Sequence, residues 1–506
     1  LVRYARKFAR AGAAVAAEQA SQKALDAAKA SFSRLESLTV DGGLSAELRE
    51  ELRQLQARAE FAILKKERRG SGVAEIQTQL AEGNPLVALE RYQELIDRFE
   101  ILREDPEFEE ILENIRAAER DLAVAEDVGV DGFTSEADIA RRHSLSLNLR
   151  TQAASDQVSQ GRLVFGTGGD VVYALDSATG EPIWKRYIGG PAPFAPVRID
   201  VASPALLMFH TARNELMLVE QSSGELIWRQ TVESAASGPP LILNQQIYLT
   251  TEAGEAGELW QVSASTGRAV RRVRFSQPLQ GPPAVSRDGE SLVVPGRSAF
   301  VYTLSRQPLE CRAVSWLGFG EGSVRAPMLT MGDLFLMCEN YSSERARLWA
   351  LTMAQDGQLT KRESETVSGQ VLDPCMLRGS QLFVPSTPQR VTAFRVSDQP
   401  DNDALSLMGT NQLPEAVISS MYLVTGPGGN LWMASTSLRR FEVTTQDVLL
   451  DEAEVARGQH LYPMQVDDDG LLVTTNQPYS ASVFFTRVNR DAMAGVWRTV
   501  LRTNLV

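Results

Sequence analysis

The spacing of apolar residues changes character once along the chain. Through residue 126 it keeps a helical period, with apolar side chains recurring three and four positions apart. Leu48, Leu52, Leu55, Ala59 and Ala62 form one such stripe, and Phe108, Ile111, Leu112 and Ile115 form another. Asn84-Pro85 and Asp105-Pro106 read as helix starts: a capping side chain, then a proline whose missing N–H costs nothing in the first turn. Asp41-Gly42-Gly43 and Arg69-Gly70-Ser71-Gly72 read as stops. From about residue 160 the pattern becomes one of short strands separated by glycine-, aspartate- and serine-rich turns.

Residues 161–188, GRLVFGTGGDVVYALDSATGEPIWKRYI, hold three of these strands. A three-stranded piece of that size cannot bury both faces alone, so it should recur. With the apolar residue before the second turn as register, copies fall at Leu175, Val219, Val262, Leu304, Leu351, Phe394 and Phe441, with an eighth near residues 486–488. The period is about 44 residues, which suits a four-stranded propeller blade. Trp184 and Trp228 stand in equivalent places, Gly180, Gly224 and Gly267 align, and AGVWRTV restores the tryptophan at Trp497.

The expected architecture is therefore mainly β with an all-α N-terminal region. Helical hairpins occupy residues 1–126, a linker residues 127–143, and an eight-bladed β-propeller residues 144–506. The linker opens with the acidic, turn-rich DVGVDGFTSEAD at residues 127–138. SLSLNLR, residues 144–150, alternates polar and apolar residues like a strand. Leu145, Leu147 and Leu149 are expected to supply either the inner strand of the first blade or the strand that closes the ring. Blades four to seven lack the tryptophan and have longer outer turns, for example at residues 342–347 and 397–403, where a propeller carries variable binding surface.

YALDSATGEPIWK, residues 173–185, resembles the PQQ-like repeat. That family includes quinoprotein dehydrogenases and the lipoprotein subunit of the outer-membrane β-barrel assembly machinery. The resemblance runs as a repeat pattern from about residue 160 to the end, close in the first copies and mostly hydrophobic spacing afterwards. It implies the fold, and it leaves chemistry open because the family holds enzymes and non-enzymes alike. GNPLVALERYQELIDRF, residues 83–99, looks like the first helix of a tetratricopeptide-type hairpin; generic helical hairpins or a short coiled coil fit the same stripes.

Composition narrows the function classes. The 506 residues carry a net charge of −13 with no Lys/Arg stripe, which excludes a nucleic-acid footprint. No apolar run is long enough to span a membrane. The opening LVRYARKFAR carries Arg3, Arg6, Lys7 and Arg10 without an acid, as either the flank of a membrane helix outside this chain or a solvated helix face. The cysteines, Cys311, Cys338 and Cys375, form no CxxC or vicinal pair and read as small buried hydrophobes, although equivalent blade positions can bring two together.

Candidate chemistry is sparse. The glycine-rich stretch at residues 166–170 leads into a strand, as a hairpin turn does, and not into a helix as a phosphate cradle would. Asp467-Asp468-Asp469-Gly470 lacks the alternate acidic spacing of a calcium loop and reads as a turn between the first two strands of the last blade. The three histidines, His143, His210 and His460, are scattered. No residue is assigned a catalytic, cofactor-binding or metal role. The tryptophans at the head of the outer strands read as packing between blades. The resemblance implies a non-catalytic scaffold of the bacterial envelope or periplasm, binding other proteins through its rim loops and helical module. A membrane would be met only through a segment outside this chain. Two alternatives belong to other classes: a quinone- and calcium-dependent dehydrogenase, and an extracytoplasmic ligand-sensing domain of a larger membrane protein.

Overall fold

The computed structural model describes residues 11, 14–16, 22–37, 46–98, 102, 105–134, 149–152, 162–413, 419–425, 430–444, 448–466, 470–476 and 482–502. The chain divides into two units, Leu1–Glu119 and Arg120–Val506.

The first unit is helical: α1 Gln22–Ser37, α2 Ala46–Ala81, α3 Pro85–Arg98 and α4 Pro106–Leu122, whose last residues pass into the second unit. The proline starts hold. Pro85 and Pro106 open their helices, and the Asp105 carboxylate accepts the Glu107 N–H at 3.1 Å as a cap. Ala88, Leu89, Tyr92, Leu95 and Ile96 of α3 are buried, as are Phe108, Ile111, Leu112 and Ile115 of α4, with the Tyr92 and Phe108 rings 5.9 Å apart. One expectation fails. Gly70-Ser71-Gly72 does not end α2, which runs on to Ala81. A β-carbon at Gly72 would lie 2.7 Å from a Leu95 methyl. That glycine serves the close approach of α3 and is not a stop.

The second unit is an eight-bladed β-propeller, its strands gathered into eight sheets in chain order. The first blade shows three strands, Leu163–Gly168, Val171–Asp176 and Pro182–Tyr187; the other seven are built on four-stranded antiparallel sheets. Every blade has a register shift between its last two strands, at Leu175, Val219, Val262, Leu304, Leu351, Phe394, Phe441 and Val488 or the residue just before. These are the positions that set the sequence register. The bulge adds local twist where the outer strand leaves its turn, so one apolar residue recurs there in each copy. The core lies between blades, where residues such as Leu207, Leu218, Ile247 and Trp260 pack face to face across one joint.

Two segments ahead of the first blade add outer strands. Val124–Val130 pairs antiparallel with Ala269–Phe275 on the third blade, and Phe133 then bridges to Arg229 on the second. This strand begins within the end of the expected helical region and fills the start of the expected linker. The reason is charge. The outer strand of the third blade reads AVRRVRF, and the incoming acids meet it: Glu126 pairs with Arg272 at 2.7 Å and Asp127 with Arg271 at 3.4 Å. Leu149–Gln152 pairs with Ala494–Arg502 at the outer edge of the last blade. Leu149 therefore joins the blade of the opposite terminus and is not part of an inner strand of the first; Leu145 and Leu147 lie outside the described residues.

Ring closure rests on the repeat's own joint. The indole N–H groups of Trp184 and Trp228 donate to carbonyls of the next blade, at Gln221 (2.8 Å) and Ala264 (2.9 Å). Trp497, in the eighth blade, donates in the same way to Ser177 of the first at 2.8 Å. Each indole lies on a turn glycine with positive φ: Gly224 at 72°, Gly267 at 69° and Gly180 at 71°. A β-carbon there would come within 2.5 to 2.7 Å of the ring. Only glycine combines that backbone with that contact.

Candidate functional site

The connections into six of the blades' inner strands deliver a proline just before the strand. Pro196, Pro240, Pro283, Pro327, Pro374 and Pro463 precede strands that start at Val197, Leu241, Ala284, Leu329, Met376 and Gln465. The inner strand is an edge strand facing the channel, so a residue without an N–H leaves no orphan donor there. Neighbouring connections touch: a β-carbon at Gly281 would lie 3.6 Å from Pro327. The sequence signal for this ring is the repeat spacing of the prolines, which the strand-and-turn pattern alone does not single out.

The connections carrying Pro196, Pro239, Pro374 and Pro463 line an open cavity of about 720 Å³. It takes walls from the second and third blades and from the sixth, seventh and eighth, and so lies across the propeller axis. Phe194, Pro196, Pro374, Tyr422, Tyr462 and Pro463 form much of its lining, with Arg198 as a cation on the rim. The volume is in the range of small-ligand pockets, and proline and aromatic rings make up half of the lining residues.

Hydrogen bonds between blades hold the walls. Asp373 accepts the Met421 N–H at 2.8 Å, joining the sixth blade to the seventh. The Tyr422 hydroxyl donates to the Leu461 carbonyl at 3.0 Å, joining the seventh to the eighth. Gln465 accepts the Phe165 N–H at 3.1 Å, and Arg198 donates to the Leu163 carbonyl at 2.7 Å. Burial pushes the Asp373 carboxyl up to about 6, against the opposing pull of the Met421 N–H. Burial also raises the phenols of Tyr422 and Tyr462.

The residues singled out from sequence fall elsewhere. Gly169 and Asp170 form the two-residue turn of a hairpin between Leu163–Gly168 and Val171–Asp176. Asp467, Asp468, Asp469 and His143 lie outside the described residues; the strands flanking the aspartates, Gln465–Val466 and Gly470–Asn476, pair with each other. His460 is buried, which lowers its imidazole to about 4, and His210 is lowered chiefly by burial as well. Among the described residues no group of three or more His, Cys, Asp and Glu side chains stands together as a metal-ligand set. Asp373, the carboxylate beside the cavity, accepts a backbone N–H through one of its oxygens.

Residues 168–308 match the family model described as outer membrane protein assembly factor BamB. No curated protein matches the chain. Among solved structures, BamB from Moraxella catarrhalis is similar with a TM-score of 0.46 and 12% identity, over 70% of this chain and 100% of that one. Dihydro-heme d1 dehydrogenase NirN in complex with DHE is similar with a TM-score of 0.46 and 13% identity, over 59% and 64% respectively. The computationally designed Ika8 protein is similar with a TM-score of 0.47 and 9% identity, over 69% and 96%. On the blade repeat and the family match, the second unit is an eight-bladed β-propeller of PQQ-like repeats, similar over residues 168–308 to the family described as outer membrane protein assembly factor BamB.

Proposed function

We propose that this protein is a non-catalytic scaffold of the bacterial cell envelope that binds other proteins at the mouth of its propeller. The observation that carries the reading is the mouth cavity's lining of proline and aromatic rings with one rim guanidinium. Rings bury large area at little entropic cost, and aromatic residues and arginine are enriched at protein-interface cores. The family described as outer membrane protein assembly factor supports the envelope setting. An apolar or proline-rich segment of an envelope protein suits such a mouth, its rings against Phe194, Tyr422 and Tyr462 and any carboxylate near Arg198.

The competing reading is a quinone- and calcium-dependent dehydrogenase, which an axial cavity of this size would admit. Incubation with the quinone and calcium separates the two. The scaffold reading expects a colourless protein after desalting. A stoichiometric, calcium-dependent quinone chromophore would overturn it.

A further inference from the structure

Cys338 lies on the second strand of the fifth blade, Leu334–Asn340, and Cys375 immediately precedes the inner strand of the sixth, Met376–Arg378. In the structure both are thiols, their sulfurs 3.7 Å apart across the joint between the blades. The surroundings fix this approach. Two residues along from Cys338, the Asn340 amide donates to the Val371 carbonyl at 2.9 Å and accepts the Val371 N–H at 2.7 Å. That two-bond clamp holds the connection containing Cys375 against the strand containing Cys338. Cys338 is buried in one apolar cluster with Leu336, Leu382 and Val384, and the partly buried Cys375 packs against it.

We propose that Cys338 and Cys375 are a disulfide-forming pair, a covalent staple between the fifth and sixth blades that forms when the protein meets a disulfide oxidant. One cysteine attacks the oxidant's disulfide as thiolate, giving a mixed disulfide and releasing one oxidant thiol. The other cysteine then attacks the mixed disulfide, forming the Cys338–Cys375 bond and releasing the second oxidant thiol. Two protons leave the cysteines and two electrons pass to the oxidant. The sulfurs need close only from 3.7 Å to about 2.0 Å. The bond would lie in the mouth wall, because Cys375 directly follows Pro374, which lines the cavity, and Asp373, which holds Met421 of the next blade. Hydrogen bonding to Cys338, then burial, then the charges of Cys338 and Asp373 push the Cys375 thiol up.

The third cysteine supplies an internal control. Cys311 sits on the outer strand of the fourth blade, with its thiol directed at the Ala313 carbonyl at 3.7 Å. The full chain is refolded in reduced or in oxidised glutathione buffer, quenched with acid, unfolded and alkylated. The reduced sample should carry three alkyl groups. The oxidised sample should carry one, on Cys311, with a peptide linking Cys338 to Cys375 and a mass lower by two hydrogens. Oxidised protein should melt a few degrees above reduced protein, and Cys375→Ser should abolish that difference. Three alkyl groups after oxidation, a persistent glutathione adduct on Cys375, or a link through Cys311 would overturn the proposal. The wild-type labelling decides this even if the serine variant does not fold, and it needs no partner protein, so it stands or falls apart from the scaffold reading.

Discussion

The joints between blades fall into two kinds, and the contrast between them explains much of the molecule. From the eighth blade through the first and second to the third, an indole lies on a positive-φ glycine and donates one hydrogen bond forward. In the later blades other residues pair with the position before the bulge: Arg271, Ala313 and Glu363. Ala313 faces Gly357 of the next blade, at 3.4 Å from where a β-carbon would lie. The Glu363 carboxylate accepts the Ala404 and Leu405 N–H groups of the sixth blade, while Arg362 donates to the Asp398 and Asn402 carbonyls. Indole docking at one arc and small or polar contacts at another meet the same requirement, a neighbour's turn held against the outer strand. The indole version leaves a mark in sequence. The other version uses ordinary residues and leaves none.

The largest effect should come from the joint that closes the ring. Trp497→Ala removes a nearly buried indole and leaves the Ser177 carbonyl without its donor, a loss of about 3–5 kcal/mol in denaturant unfolding. Gly180→Ala should lose about 1–3 kcal/mol or more through strain and collision with the ring. A loss under about 1 kcal/mol for Trp497→Ala would show that the last blade is held by something other than this joint.

At the polar joint, Glu363→Ala strands two backbone N–H groups and should cost about 1–3 kcal/mol, with Glu363→Gln recovering part of it. If Glu363→Ala is silent, the later blades do not depend on this contact and the equivalence with the tryptophan joints fails.

Asp373 sharpens the picture through pH. Its carboxyl is raised from 3.8 to about 6, so the native state holds more protons than the unfolded chain between those values. Stability from this group is therefore full below about pH 4 and is lost as pH rises through about 6. Asp373→Asn keeps an acceptor for the Met421 N–H and removes the buried charge. It should raise stability by up to about 2 kcal/mol at pH 8 and leave it unchanged at pH 3.5. An equal effect at both pH values would contradict the assignment.

The smallest change belongs to Arg271→Ala. Arg271 is paired with Asp127 at 3.4 Å and with Glu310 at 4.0 Å, both partners largely exposed, so about 0–1 kcal/mol should be lost and less at high salt.

The fold was legible wherever one residue type had to recur for a steric reason. The bulge position, the Trp184, Trp228 and Trp497 indoles and the glycines beneath them, Gly224, Gly267 and Gly180, carried the period and the blade count. Gly72 misled because glycine marks both a helix end and a close helix contact, and local sequence does not distinguish them. The Val124–Val130 strand was hidden because its acids read as a solvated linker until the Arg271, Arg272 and Arg274 strand was beside them. The mouth was hidden for a similar reason. Its prolines come from connections, and only the closed ring brings Pro196, Pro374 and Pro463 around one cavity. The Cys338–Cys375 approach likewise depends on adjacent blades and not on sequence spacing.

The most direct test of the scaffold reading is site-specific photo-crosslinking in bacterial cells, with a benzophenone side chain replacing Tyr462 in the mouth and, as control, Ile183 on an outer strand. The mouth probe should give a discrete adduct whose mass identifies an envelope protein, and the Ile183 probe should not. Equal labelling from both positions, or a mouth probe that yields only unmodified protein, would contradict the assignment of this face as the binding surface.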